Sequence, residues 1–369
     1  MDERLYWVGL NQVNGIGAAR LRGLLAYFDS AQAAWEAPAN QLKAAGLPNK
    51  AIESMQKLRA SVDLTELWEN LASKEIGLLT WLDEFYPSRL KEIDQPPPIL
   101  YTRGEITSQD HWAVAIVGTR WMTPYGKQVT EEAARFLAQN GVTVVSGMAR
   151  GVDTAAHSAA LNAGGRTIAV MGSGVDNIYP PENRGLAKEI IANGALVSDF
   201  ALGTPPDKRN FPPRNRIISG LSLGVVVVEA GKKSGALITA NFALEQGREI
   251  FAVPGNINAP HSKGPNRLIA NGAHPLLEPE DLMKVLDLAM VTEKQEARMV
   301  LPQDATEATL YSALGHEPAH VDDIGLQTGL PIAQVTATLA LMELKGMVRQ
   351  VGGMQYVVIR EARSGYSTE

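Results

Sequence analysis

GVVVVEA (Gly224–Ala230) sets four consecutive valines between a glycine and an acid. β-branched side chains at every position, in a run too short for a buried helix, predict a strand covered on both faces. Five further runs share this character: AVAIV (113–117), VTVVS (142–146), TIAVM (167–171), ALVSDF (195–200) and EIFAV (249–253). Helical patterns separate most of them. Buried apolar strands alternating with crossover helices define an α/β protein with a Rossmann-like doubly wound parallel sheet, expected over residues 101–288.

Outward from this core the chain changes twice. Residues 1–100 read as short helices. In LNQVNGIGAARLRGLLAYF (Leu10–Phe28), Gly15 and Gly17 make a turn before Leu21, Leu24 and Leu25 at helical spacing, the pattern of a helix-hairpin-helix or SAM-like domain. A looser copy runs through Leu42–Met55, and DQPPPILYTRG (Asp94–Gly104) reads as a stiff extended connector. Arg20 and Arg22 are the only cations at the first hairpin, so any DNA contact there is expected to be weak. Residues 289–304 are polar and read as a linker. Residues 305–369 follow as three helices and a hairpin turning at Gly352 and Gly353, the order of a winged helix. Its third helix carries a single cation, Lys345, which favours a protein contact over reading of a major groove.

Composition excludes several chemistries. The chain has 369 residues, no cysteine and six scattered histidines, so neither disulfides nor a zinc centre is expected. The acidic N-terminus MDERLYWVGL is no secretory signal, and no apolar window reaches membrane-spanning length, so a cytoplasmic location is expected. The formal charge is −6, divided as −3 over 1–100, +2 over 101–285 and −5 over 286–369. A polyanion would therefore be held by a local patch of the middle region.

In an open parallel sheet, ligands sit beyond the C-terminal strand ends. There the sequence is rich in glycine: Gly118–Thr119–Arg120 after the first strand, Gly147 to Asp153 with Arg150 after the second, and Gly172 to Asp176 with Gly174 after the third. The fourth such loop is GKKSGALIT (Gly231–Thr239). One glycine loop is ordinary turn chemistry, but four opening on one crevice with arginines among them suggest a phosphate cradle. No dinucleotide fingerprint follows the first strand and no P-loop spacing occurs, so no cofactor is expected.

KRNFPPRNR (Lys208–Arg216) supplies the remaining charge, with Lys208, Arg209, Arg214 and Arg216 in nine residues and no acid. Prolines stiffen the loop before a helix expected near Asn215, and Phe211 stands among the cations. Cations along a backbone with a ring for a base to stack on suit single-stranded nucleic acid. The plain alternative is that Phe211 belongs to the core.

These motifs, GTR, SGMARGVDTAAHSAAL, GSGVDNIYPPEN, FPPRNRIISGLS, VVVVEAGKKSGALITANFALEQGREIFAVPG and GPNRLIANGA, resemble those of the DNA-processing DprA (Smf) family over roughly residues 110–285. The resemblance implies a non-enzymatic protein that binds single-stranded DNA without sequence preference, protects it and helps load RecA recombinase in natural transformation. It also implies a homodimer formed through the Rossmann-like domain. Arg120 and Lys208 match phosphate-contacting cations, Gly147, Arg150 and Gly174 lie on matching glycine loops, and Phe211, Arg214 and Asn215 match the DNA groove. A rival from another class is a nucleotide-binding phosphoribohydrolase of similar fold. Its catalytic glutamate has no counterpart at the expected spacing after EAGKKSGALIT, where Glu245 lies more than a turn too far along, while Glu229 and Asp153 read as helix-capping or loop-holding acids. A scaffold for an acidic protein is the third reading, separated from DNA binding by strand preference.

Overall fold

The computed structural model describes residues 3–288, 304–314, 318–345 and 347–358. It comprises two compact units, residues 1–288 and 289–369. The first is built on a nine-stranded sheet of β1 (Gly77–Thr80), β2 (Ile99–Gly104), β3 (Ala113–Val117), β4 (Thr143–Ser146), β5 (Thr167–Val170), β6 (Gly194–Ser198), β7 (Gly224–Val227), β8 (Glu249–Ala252) and β9 (His274–Pro275). Their spatial order is β1-β2-β6-β5-β4-β3-β7-β8-β9. From β6 to β9 every pairing is parallel, while β1 and β2 are antiparallel additions at one edge. Every residue of β3 to β7 is buried, which explains why these strands read as unbroken apolar runs.

The topology places a crevice at the C-terminal strand ends. From β3 the chain winds outward through β4, β5 and β6, then returns to β7 on the other side of β3 and winds out again. The loops after β3 and β7 consequently diverge, leaving an opening at this switch point.

Two expectations need correction. The stretch 94–104 is a free connector only through its prolines: from Ile99 it is β2, paired with β6 in the register Tyr101↔Ser198. Residue 100 is accordingly no boundary. Helices Arg4–Gln12, Ala18–Phe28, Ala31–Glu36, Ala39–Ala44, Asn49–Ser61 and Leu64–Ser73 precede two strands that join the main sheet. Trp7, Leu10, Leu24 and Met55 belong to one apolar core with Ile99, Val145 and Val197, so burial couples the front helices to the sheet. Both glycine hairpins are present, with Gly15 and Gly46 at φ of 94° and 87°. Arg20 donates to the carbonyl of Gly15, and Arg22 stacks 5.3 Å from the Trp81 ring, so both hairpin cations are engaged within the chain.

The second unit holds helices Ala305–Ala313, Val321–Thr328 and Ile332–Leu344. Their companion sheet is formed by β10 (Ala319–His320), β11 (Val348–Gly352) and β12 (Gln355–Val358) in the order β10-β12-β11. Leu310, Ile324, Val335, Leu339 and Tyr356 form its core. Lys345 donates to Glu307 Oε1 at 2.6 Å. The expected linker 289–304 lies outside the described residues except for Asp304. Among the described residues no single helix is long and apolar enough to cross a membrane, and no cluster of three metal-ligating side chains occurs.

Candidate functional site

A cavity of about 790 Å³ opens at the switch point. Its walls come from the loops after β3, β4, β5, β6 and β7, which bring together residues distant in sequence. Arg120, Lys208, Arg214 and Lys233 line it, against one carboxylate, Asp153. The wall therefore carries a strong positive excess in a chain that is acidic as a whole.

The loop after β3 is tied to the loops after β7 and β4 on either side. Thr119 N–H donates to Glu229 O (2.7 Å), Val152 N–H donates to Thr119 O (3.2 Å) and Trp121 N–H donates to Thr119 Oγ1 (3.2 Å). Gly118 packs against Val152, where a Cβ would lie 2.6 Å from Cγ2. Glu229, 5% exposed, accepts from the Thr123 amide (2.9 Å) and hydroxyl (2.5 Å), fixing the start of the helix Pro124–Gln139.

The helix after β6 begins at Phe211, not near Asn215, with Pro212 and Pro213 in its first turn, where no N–H is needed. This early start decides which cations reach the cavity. The guanidinium carbons of Arg120 and Arg214 lie over the Phe211 ring, 5.6 and 5.8 Å from its centroid. Phe211 is half-buried and packs on Gly172, with Tyr179 at 6.0 Å, so it serves the core on one side and the cavity on the other. Asn215 Nδ2 donates to Gly235 O (3.3 Å), bridging the β6 and β7 loops at the cavity.

Arg214 is 4% exposed and forms the floor. Its Nη2 donates to Gly147 O (3.1 Å), while Nε has no partner among the described residues. Burial pulls the guanidinium pKa down to about 10, against the attraction of Asp153. Asp153 is itself buried, which raises its carboxyl pKa despite Arg214 and despite amide donors from Gly147 and Ala149, both at 3.2 Å.

His157 lies on the same helix as Asp153, fully buried, with Nδ1 2.6 Å from Thr167 Oγ1. Burial, reinforced by Arg214, depresses its pKa to about 3. The unfolded chain takes up this proton near pH 6.5 and the folded chain does not, so stability is complete above pH 6.5 and declines as pH falls. Between pH 7 and pH 5 the loss from this group is expected to be about 2 kcal/mol. Urea unfolding at both values, compared with His157→Gln, measures it; an equal decline in the variant would remove His157 as the cause.

Several predicted residues lie elsewhere. Arg216 is turned away, donating to Asp199 Oδ2 (2.8 Å), Gln95 O (2.9 Å) and Pro213 O (2.8 Å), and so fastens its helix to the front of the unit. Arg209 is exposed but held in a two-bond fork by Asp207, both contacts at 3.0 Å. Arg150 lies beyond the main cavity, beside Tyr179 and Phe211, and is paired with Glu182. The amide of Gly174 already donates to Thr204 O (3.0 Å), so it has no donor left for a phosphate. Gly147 contributes space rather than a free amide, since its N–H is bound to Asp153.

Sequence reasoning missed Trp121, Lys233 and Tyr179 on the cavity wall. For Trp121 a signal existed: an aromatic directly follows the loop cation Arg120.

Fold and site together define a doubly wound α/β protein with an electropositive, aromatic-bearing cavity at its switch point. Comparison with known proteins narrows this. The family described as "DNA recombination-mediator protein A" matches residues 77–287, and the "DprA winged helix domain" matches 294–354. Protein Smf of Synechocystis is 35% identical over 392 residues, 96% of this chain and 98% of that protein. The X-ray structure of DNA processing protein A from Streptococcus pneumoniae superposes with a TM-score of 0.67 at 33% identity, covering 76% of this chain and 97% of that one. A second structure, from Helicobacter pylori, concerns that protein's single-stranded DNA binding mode. It matches at TM-score 0.52 and 34% identity, over 57% of this chain and 95% of its own. The chain belongs to the DprA/Smf family of DNA-processing proteins.

Proposed function

We propose that this chain binds single-stranded DNA at the switch-point cavity without reading its sequence. The observation that carries the reading is the buried Arg214 floor beneath walls bearing Arg120, Lys208 and Lys233, with Phe211 beside them. Charge in a low-dielectric floor attracts a phosphate more strongly than the same charge in open water. Neither Lys208 nor Lys233 forms an ion pair among the described residues, so both are available to a backbone. The H. pylori relative's recorded strand binding adds weight to this assignment. Strand protection, delivery to RecA during natural transformation, pairing of two copies through the doubly wound unit and a cytoplasmic setting belong to the same reading.

The hydrolase alternative is disfavoured by geometry. Glu229 is committed to Thr123, and Glu245 ends the helix Gly235–Glu245, about 9 Å along the axis from Thr239, the last residue of that helix on the cavity wall.

Fluorescence anisotropy of labelled single strands and duplex over a salt series tests the proposal. Lys208→Ala is expected to weaken every single-stranded sequence alike and to flatten the log–log salt slope by about 0.7, one phosphate contact. Failure of the folded wild type to bind single strands at low salt overturns the reading, as does a sequence-dependent loss in the variant.

A further inference from the structure

Trp121 is 79% exposed, the most exposed of the chain's buried-or-exposed large aromatics that reach the cavity wall. Exposure of a lone apolar ring is ordinary, but the backbone beneath this one is unusually constrained. The Trp121 amide is bonded to Thr119 Oγ1, Thr119 is bonded on both sides to Glu229 and Val152, and Gly151 at φ of 76° fits directly under residues 119 and 120. The loop thus presents an indole to solvent from a fixed frame, at little ordering cost on binding. The same cavity wall carries groups a nucleotide needs: Arg120 as the chain neighbour of Trp121, and Lys233 and Ile238 from the loop and helix after β7. Phe211 occupies the wall after β6 and has Arg120 over its ring.

Resting on the strand-binding reading above, we propose that Trp121 is a second base-stacking platform. One base stacks on Phe211 and another on Trp121, while Arg120, placed between the two platforms in the β3 loop, neutralises the backbone. Stacking on an indole depends on the presence of a base and little on its identity, because every base offers a π-face. The two aromatic contacts therefore raise affinity without adding sequence preference.

The test compares Trp121→Ala, Trp121→Phe and wild type on two labelled strands of equal length and charge, one of natural oligothymidylate and one wholly abasic. Trp121→Ala is expected to weaken binding of the natural strand about tenfold, to leave the abasic strand unchanged and to keep the salt slope of wild type. Trp121→Phe is expected to retain most of the affinity. An unchanged affinity of Trp121→Ala for the natural strand overturns the proposal, and so does an equal loss on both strands, which would mark a charge or folding effect. Wild type that binds neither strand overturns the parent reading and this one with it, an outcome distinct from both.

Discussion

Gly147→Ala is expected to lower stability by about 3 kcal/mol and strand affinity by at least about tenfold. A Cβ at this position would lie 1.9 Å from Arg214 Nη1 and 2.8 Å from Cζ, far inside contact distance. The glycine is buried at the end of β4, with its N–H bonded to Asp153 and its C=O to Arg214, so the backbone has no direction in which to yield. Arg214 has to move instead. It is almost fully buried and lies over Phe211, so a shift costs packing and the attraction of Asp153 together. Gly185→Ala is the matched control: that glycine is exposed on the helix Arg184–Ala192, with nothing within 4 Å of an added Cβ. There alanine is expected to raise stability by about 0.5–1 kcal/mol through helix propensity and reduced unfolded-state entropy. Urea midpoints of the two variants should move in opposite directions; parallel movement would discount the clash.

The strands of the sheet were legible because burial on both faces leaves a local mark, unbroken β-branched runs between glycines. Residues 99–104 were not, because Pro96, Pro97 and Pro98 dominate the local reading while the ladder that makes β2 a strand is supplied by β6, about ninety-five residues later. The cation cluster shows a different limit. Composition correctly draws attention to Lys208–Arg216, but four charges in nine residues do not say which of them face one cavity. Helical geometry does: at 3.6 residues per turn Arg214 and Arg216 are separated by about 200° of rotation and so point to nearly opposite sides, and only one of them reaches the cavity floor. That inference needs the helix to start at Phe211. Reading the two prolines as part of a stiffened loop rather than as first-turn residues hides it. The glycine loops taught a similar lesson, since Gly174 and Gly147 are required for close packing, and their amides are already bonded within the fold.

Arg214→Ala is expected to separate the structural role of the cavity floor from its proposed role in holding DNA. Removing the guanidinium leaves Asp153 buried with two amide donors but without its cationic neighbour, a loss of about 3 kcal/mol at neutral pH. The sign of its pH dependence follows from the carboxyl. Burial already holds the folded-state pKa of Asp153 above its ordinary value, and Arg214 is the largest influence pulling it down. Without Arg214 that pKa rises further, so the variant's folded state favours a protonated carboxyl over a wider range. The deficit relative to wild type should therefore be greatest near pH 7 and shrink as pH falls towards the unfolded carboxylate pKa of about 4. Urea unfolding of both proteins across this range provides the measurement, made in a His157→Gln background because Arg214 also depresses the His157 pKa and its removal would alter that group's share of the decline. Arg214→Ala/Asp153→Asn removes the uncompensated charge and should recover part of the stability at neutral pH. It should not recover strand affinity, because the cavity floor would then be neutral while Arg120, Lys208 and Lys233 remain on the walls. Recovery of both together would mean that the floor shapes the cavity without attracting the phosphate, and would move the charge requirement wholly onto the walls.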